Sequence, residues 1–170
     1  RSDLVTVSSS ISGTGSLTQA GTGTIQLMGN SSYSGTTTIS AGTLQIGVGG
    51  TAGTLGTGAV INNASLVINR SDAITVANTI SGTGTVTKAG GGTTTLSATN
   101  SYTGATVINS GTLSVSSLAN GGTGSGIGSA SSSSANLVLN GGTLQYTGAA
   151  ASTDRLFSIG SSGGTLNSSG

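Results

Sequence analysis

The sequence lacks cysteine, histidine, proline and tryptophan, and only 4% of its 170 residues are charged. Without cysteine there can be no disulfide and no zinc–thiolate site, and without cysteine or histidine no Ser-His-Asp or Cys-His catalytic centre. The missing proline and the missing Gly-X-Y period exclude collagen. A formal net charge of +1 gives no reason to expect nucleic acid or an anionic membrane as a partner.

Small and β-branched residues make up most of the chain. Glycine supplies 32 residues, serine and threonine together 60, and apolar residues 33%. Glycine, serine and threonine are poor helix formers, and no long window keeps a 3.6-residue period, so a helical fold is disfavoured. A disordered Gly/Ser-rich chain is the alternative, but disorder usually combines low hydrophobicity with high net charge, and here the apolar residues are regularly placed.

The chain repeats itself at a constant offset of about 69 residues, the kind of self-similarity that marks repeat architectures. Residues 1–46 align without a gap on residues 70–115, and 24 of these 46 positions are identical. A third, looser copy begins near Asp154, and the second unit carries a low-complexity insert near residues 121–134. We therefore expect a single β-helix segment spanning residues 1–170, with internal repeats at 1–69 and 70–152 and a partial third repeat at 153–170.

Short strand-like stretches fill each repeat. They alternate apolar with small polar residues and are bounded by glycine, asparagine or serine. The predicted strands include Leu4–Val7, Thr24–Leu27, Thr36–Ser40, Thr43–Ile46, Ala59–Ile61 and Ser65–Ile68. Such strands are too short and too small for a sandwich with a bulky core, but they suit a β-solenoid whose stacked turns bury one another's Leu, Ile and Val.

The repeat length predicts the size of this solenoid. A unit of about 69 residues divides into about three turns of roughly 23 residues, so the chain would make seven or eight turns and a rod of some 35 Å. Equivalent positions would then share a face, with Leu113 and Val115 entering the core where Leu44 and Ile46 do one unit earlier. Neither end of the sequence shows a clear cap, so we expect the rod to continue in a longer one or to stack on copies of itself.

The few charged residues are the first candidates for chemistry. A serine with Lys88 as its base is formally possible, but we expect a solvated surface lysine. Carboxylates that cleave glycans must lie roughly 5–10 Å apart. Asp3, Asp72 and Asp154 should lie several turns apart, so each is interpreted as a solvated turn residue beside Arg1, Arg70 or Arg155, capping backbone N–H groups.

Threonines and tyrosines are the remaining candidates. The Thr-x-Thr pairs at Thr36/Thr38 and Thr83/Thr85/Thr87 could form a flat, ice-binding array, but they do not recur at a fixed turn length, and strand propensity explains them more simply. Tyr33 and Tyr102 occupy equivalent turns, where they could stack on a ligand or, as we expect, close a corner by packing against the next turn. The sequence thus predicts no catalytic, cofactor-binding or metal-binding residue.

Two stretches carry a longer shared pattern, ISGTGTVTKAGGGTTTLSATNSYTGATVINSGTLSV and NLVLNGGTLQYTG. Both resemble the passenger-associated repeats of bacterial autotransporters. The pattern is a Gly-Thr strand start, a Leu strand, an Asn-x-Tyr-[Ser/Thr]-Gly turn, then Thr-x-Ile and Gly-Thr-Leu strands. The residues that fit it in register are Asn100, Tyr102, Gly104, Thr106, Ile108, Gly111, Thr112 and Leu113. In the first unit this turn is one residue longer.

The resemblance implies a right-handed, single-stranded parallel β-helix, exported by type V secretion to the surface of a Gram-negative bacterium. It brings no catalytic residues, so we predict a non-enzymatic stalk that acts as spacer or filament body. The alternative is an adhesin or self-association module for biofilm or cell aggregation. The expected partners are other copies or neighbouring turns, and possible ones are surface glycans or neighbouring and host cells. Membrane contact is expected only through a C-terminal barrel outside this chain.

Overall fold

A computed structural model describes residues 3–170, and it confirms the predicted β-solenoid. In this part of the chain seventeen short strands form three parallel sheets, with a single 3₁₀ turn at Ser134–Asn136 and no α-helix. Arg1, which belongs to the predicted first repeat and was paired with Asp3 in the sequence analysis, lies outside the described residues. The strands alternate around a shared apolar interior, as the period of two in their sequences requires.

The first sheet runs the length of the described chain. Its eight strands, in spatial order, are β1 (Leu4–Val7), β3 (Thr24–Leu27), β5 (Thr43–Ile46), β7 (Ser65–Ile68), β10 (Thr85–Lys88), β12 (Thr106–Ile108), β14 (Leu137–Leu139) and β16 (Ser158–Ile159). Every neighbouring pair is parallel, and each strand belongs to the next turn of chain. The eight strands therefore count about eight turns.

The other two sheets complete the walls. The second sheet contains β8 (Ile74–Val76), β11 (Thr93–Leu96), β13 (Thr112–Val115), β15 (Thr143–Tyr146) and β17 (Thr165–Ser168). The third contains β2 (Leu17–Gln19), β4 (Thr37–Ile39), β6 (Val60–Asn62) and β9 (Ile80–Ser81). Four of the six strands named from the sequence have the predicted bounds, and the bounds of the other two differ only slightly from the prediction.

The turns are shorter than the sequence analysis expected. Paired residues in the first sheet are 20 apart at Leu4 and Thr24, 19 apart at Thr24 and Thr43, and 22 apart at Thr43 and Ser65. The turn from Thr106 to Leu137 is about half as long again, because it contains the low-complexity insert. The expectation of roughly 23 residues per turn is therefore wrong, because a regular turn of this solenoid needs only about 20.

A consequence is that the repeat unit does not return to the same face. In the first sheet, Thr85 lies three turns after Thr24. The residue that aligns with Thr24 in the second repeat is Thr93, which follows Thr85 in the chain and lies in the second sheet. In the same way β5 belongs to the first sheet, and its repeat copy β13 to the second. The prediction that Leu113 and Val115 enter the core through the face used by Leu44 and Ile46 is wrong: all four are buried, but on different walls.

The interior consists of rows of stacked aliphatic side chains. One row of the first sheet runs through residues that pair in register from turn to turn, namely Val7, Leu27, Ile46, Ile68, Lys88, Ile108 and Leu139. All but Val7 are buried, including the lysine. Burying such rows is the main favourable contribution to the fold, at about 25 cal/mol per Å² of apolar surface.

Candidate functional site

The charged residues are the first features to locate, since Lys88 and the aspartates were expected to be solvated. Arg70, Lys88 and Arg155 are only 4%, 1% and 8% exposed, so the side chain of every Lys and Arg within residues 3–170 is buried. The expectation of a surface lysine is therefore wrong. The charged groups on the exposed surface of residues 3–170 are therefore all carboxylates, although the formal net charge of the chain is +1.

Lys88 lies inside because strand alternation places it there. Val86 and Lys88 are two residues apart on β10 and point to the same side. Lys88 lies between Ile68 and Ile108 of the adjacent turns. Its Nζ donates hydrogen bonds to the main-chain carbonyls of Gly90 and Ser110, not to a serine hydroxyl. Burial lowers the pKa of Lys88 because the charged form loses its water. The period-two signal for this position was present in the sequence.

The aspartates do not gather into one site. Asp72 is joined to Arg70 by two hydrogen bonds, of 2.9 and 2.8 Å, and this pairing lowers the pKa of its carboxyl group. Asp154 accepts the N–H of Gly121 at 2.7 Å, which agrees with the predicted capping role. Asp3 precedes the first strand of the first sheet, whereas Asp72 precedes the first strand of the second. Residues 3–170 contain no cluster of three or more acidic side chains that could hold a metal ion.

The two repeat tyrosines close corners, as expected. Tyr33 and Tyr102 are buried, and their hydroxyl groups pair with Thr37 Oγ1 at 2.6 Å and Thr106 Oγ1 at 2.7 Å. Burial raises the pKa of Tyr102 to about 12, so its phenol stays neutral. Neither ring is therefore available to stack on a ligand at the surface.

The outward threonines form single rows. Thr24, Thr43, Ser65 and Thr85 pair in register on the first sheet, and Thr93, Thr112, Thr143 and Thr165 on the second. The neighbouring outward row is mixed, since Thr87 pairs with Val67 and Val107. A two-column Thr-x-Thr array is therefore not continued through these turns. The rows offer uncharged hydroxyl groups that can bond along the sheet.

A groove of about 250 Å³ interrupts the second wall beside β8, between residues 54–57 and 74–78. Ile46, Leu55, Ile74 and Val76 supply its apolar lining, and Asn78 crosses it by donating to the carbonyls of Gly56 and Gly58 at 2.8 and 2.6 Å. None of the residues that line it is acidic or basic. The groove therefore offers no acid, base or charged group for catalysis.

No helix within residues 3–170 is both long and apolar enough to span a membrane. The buried polar groups just described bond to the chain's own carbonyls and hydroxyls. They hold corners and turns together, and the outer surface carries hydroxyls, amides and a few carboxylates.

Comparison with known proteins gives two findings. The passenger-associated-transport-repeat family matches residues 17–46 and 86–115, which run from β2 to β5 and from within β10 to β13. A segment of 56 residues, 33% of this chain, is 46% identical to the adhesin BmaC autotransporter of Brucella suis biovar 1 (strain 1330). That segment covers only 2% of the relative. No solved structure matches the chain significantly.

The two matched segments have the same local structure, strand by strand, on different walls of the solenoid. Both findings support a surface passenger segment. Residues 17–46 and 86–115 therefore match the passenger-associated-transport-repeat family, and the chain is similar in part to an autotransporter adhesin.

Proposed function

We propose that this segment is a structural part of an extracellular passenger, a stalk or spacer that holds other parts of its protein away from the bacterial surface. The observation that carries the proposal is the first sheet, whose eight parallel strands continue without interruption through the described chain. At about 4.8 Å per strand, these turns give a rod of roughly 35 Å. Its length is proportional to the number of turns, which is the property a spacer needs.

The mechanism is mechanical. Each turn contacts only its neighbours, so the rod can grow turn by turn, and the finished stack keeps its length because every turn is bonded above and below. With most charges buried or paired, the rod is expected to be insensitive to the salt concentration outside the cell.

Electron microscopy and sedimentation velocity of the purified chain test the spacer function. We expect single short rods whose sedimentation coefficient does not change over about a hundredfold range of protein concentration. Fibres, or a sedimentation coefficient that rises with concentration, would contradict a pure spacer and favour the alternative below.

The alternative is adhesion through self-association, and one observation favours it. Apolar side chains are exposed on strands at the two limits of the described chain, among them Leu4 at 61%, Ile159 at 51% and Leu166 at 54%. Open strand edges bearing such residues can pair with another copy. The similarity to a protein named as an adhesin points the same way. Surface glycans and neighbouring or host cells are further proposed partners.

A variant separates the two functions. Leu166→Thr keeps strand propensity but removes the exposed apolar side chain from β17. If copies associate through these edges, the variant should stay monomeric at concentrations where the unmodified chain assembles. The matched control is Thr165→Ser on the same strand, which leaves the apolar side chain in place. Equal assembly of all three proteins would contradict association through this edge.

A further inference from the structure

Two segments leave the regular path of the solenoid. We call them excursion 1, residues 47–53, and excursion 2, residues 116–133. They account for the two longest turns of the first sheet, from Thr43 to Ser65 and from Thr106 to Leu137. Both contain glycines in the left-handed region, and these are Gly47, Gly49 and Gly53 in excursion 1 and Gly122 and Gly128 in excursion 2. Glycine-rich backbone has a high entropic cost of ordering, so something else must hold these segments in place.

Arg70 holds excursion 1. Its Nη1 donates to the carbonyl of Gly53 and its Nη2 to that of Thr51, both at 2.5 Å. The same guanidinium forms a two-point pair with Asp72, through Nε and Nη2. Main-chain bonds on either side, from Gly49 to Asn69 and from Ser71 to Gly50, complete the contact. Planar guanidinium donors can hold several acceptors in one fixed geometry, which lysine cannot do.

Arg155 holds excursion 2 in the same manner. Its Nε donates to the carbonyl of Ala119 at 2.9 Å, and its Nη2 to those of Thr123 and Gly128 at 3.0 and 2.9 Å. Asp154, its neighbour in the chain, exchanges hydrogen bonds with Asn120 and Gly121. One arginine thus connects three carbonyls that are well separated along the insert.

We propose that the arginine near the start of a repeat unit is a latch for the excursion in the second half of the preceding unit. Arg70 opens the second unit and Arg155 lies at the start of the third, and in both cases the excursion comes earlier in the chain. An excursion therefore becomes ordered only once the following turn has docked. This goes beyond the stalk function, since it explains why a chain so poor in charge keeps arginines and buries them.

The latch controls local order without being required for the rod. The strands that flank excursion 1 remain paired, β5 with β7 and β4 with β6, and those that flank excursion 2 do so too, β12 with β14 and β13 with β15. Removing one arginine leaves its carbonyl acceptors without their donor, which costs more than a typical hydrogen bond because the donor is charged. The opening should be confined to the excursion that has lost its latch.

Hydrogen exchange of the full 170-residue chain, resolved by mass spectrometry, tests this with two reciprocal variants. In Arg70→Met we expect exchange at the Gly49 and Gly53 amides to speed up by about tenfold or more, with Gly122 and Thr123 unchanged. In Arg155→Met we expect the opposite pattern. Each variant is the control for the other, because both remove one buried charge.

Uniform acceleration over the whole chain in either variant, or no acceleration in the excursion, would overturn the proposal. Asp72→Asn provides a milder test should Arg70→Met fail to fold: it weakens the pairing of Arg70 but keeps all carbonyl contacts possible. A smaller acceleration confined to residues 49–53 would support the latch. Unchanged exchange there, with the ion pair lost, would count against it.

Discussion

At the scale of single residues, polar side chains at inward positions are the least expected feature of this core. Gln19 and Lys88 are repeat partners, and both donate to the carbonyls of the corner that follows their strand: Gln19 to Gly21 and Gly23, Lys88 to Gly90 and, across the turn, Ser110. The corner therefore requires a long side chain with a hydrogen-bond donor at this position, but it does not require a positive charge. Thr94 is different, since its hydroxyl is buried and has no hydrogen-bond partner among the described residues.

Thr94→Val should stabilise the protein. Thr94 pairs in register with Ile74 and Leu113 in a row of aliphatic side chains, and its partner in the first repeat is Ile25. Replacing an unpaired buried hydroxyl by a methyl group of the same shape removes a desolvation cost of about 1–2 kcal/mol. Urea unfolding followed by circular dichroism measures the change in free energy of unfolding.

Thr106→Val is the matched control for this prediction. Its hydroxyl is also buried, but it pairs with the hydroxyl of Tyr102, which would lose that partner. We expect this variant to lose about 1–3 kcal/mol. Equal effects of the two substitutions would show that the hydrogen bond is irrelevant to stability.

Lys88 should make stability depend on alkaline pH. Burial lowers its pKa in the folded state, so in the window between that pKa and the ordinary lysine pKa the unfolded chain binds a proton that the folded chain does not. The free energy of unfolding therefore rises as pH increases through this window and is lowest below it, where the folded state must bury the charge. Unfolding in urea between neutral pH and about pH 10.5 measures the slope.

Lys88→Gln is the control, because it substitutes the residue that the first repeat uses. We expect this variant to be at least as stable as the unmodified chain at neutral pH and to lose the rise with pH. An identical pH profile in both proteins would contradict a role for the Lys88 amino group. The burial of Lys88 could be predicted from alternation with Val86, whereas its carbonyl partners could not, because they lie in a corner and in the next turn.

At the scale of elements, stacking depends on where one turn meets the next. The tyrosine corners show this most clearly: the ring of Tyr33 lies against Gly56, and the ring of Tyr102 lies against Gly128. In each case a glycine one turn later leaves room for the aromatic ring. The sequence predicted the tyrosine corners, and it predicted four strands to the residue, because both depend on local patterns. The opposing glycines lie more than a regular turn away along the chain, at two different spacings that no local pattern specifies.

Gly56→Ala should therefore destabilise the protein by about 1–3 kcal/mol, as expected for overpacking. Its added methyl group would overlap the carbonyl oxygen of Tyr33 and come within 2.6 Å of the ring. Gly50→Ala is the control, because nothing lies within 4 Å of its added methyl group and its backbone is not left-handed. Thermal unfolding of both variants tests the prediction. A similar loss in Gly50→Ala would contradict the clash as the cause.

At the scale of the whole molecule, repeat and turn have different lengths. The solenoid and its approximate number of turns could be predicted from the sequence, because apolar alternation and glycine corners recur along the whole chain. The aligned strands of the second unit were expected on the same walls as those of the first, but each lies one wall further on. The offset between repeats does not specify how many residues one turn contains. A unit of three turns and about a third moves each copied strand to the next wall. The first and second walls must therefore accept the same local sequence, as Thr24 and Thr93 demonstrate.

The burial of every Lys and Arg side chain within residues 3–170 affects how proteases can cut the chain. Trypsin-like proteases must insert a Lys or Arg side chain into a pocket before they cut. In this part of the folded rod every such side chain is covered, so cleavage must wait for a turn to open. Folded chain should resist trypsin, and Val48→Lys, which places a lysine at an exposed position of excursion 1, should restore rapid cutting.

Gel analysis of a trypsin time course measures both rates, and rapid cutting of the folded, unmodified chain after Lys88 would contradict the expectation. The position of each cut shows which part of the rod has opened. A cut after Arg70 indicates opening at the first latch, a cut after Lys88 opening of the core, and a cut after Arg155 opening at the second latch. By burying three side chains, the folded rod should resist a whole class of proteases for as long as its turns stay closed.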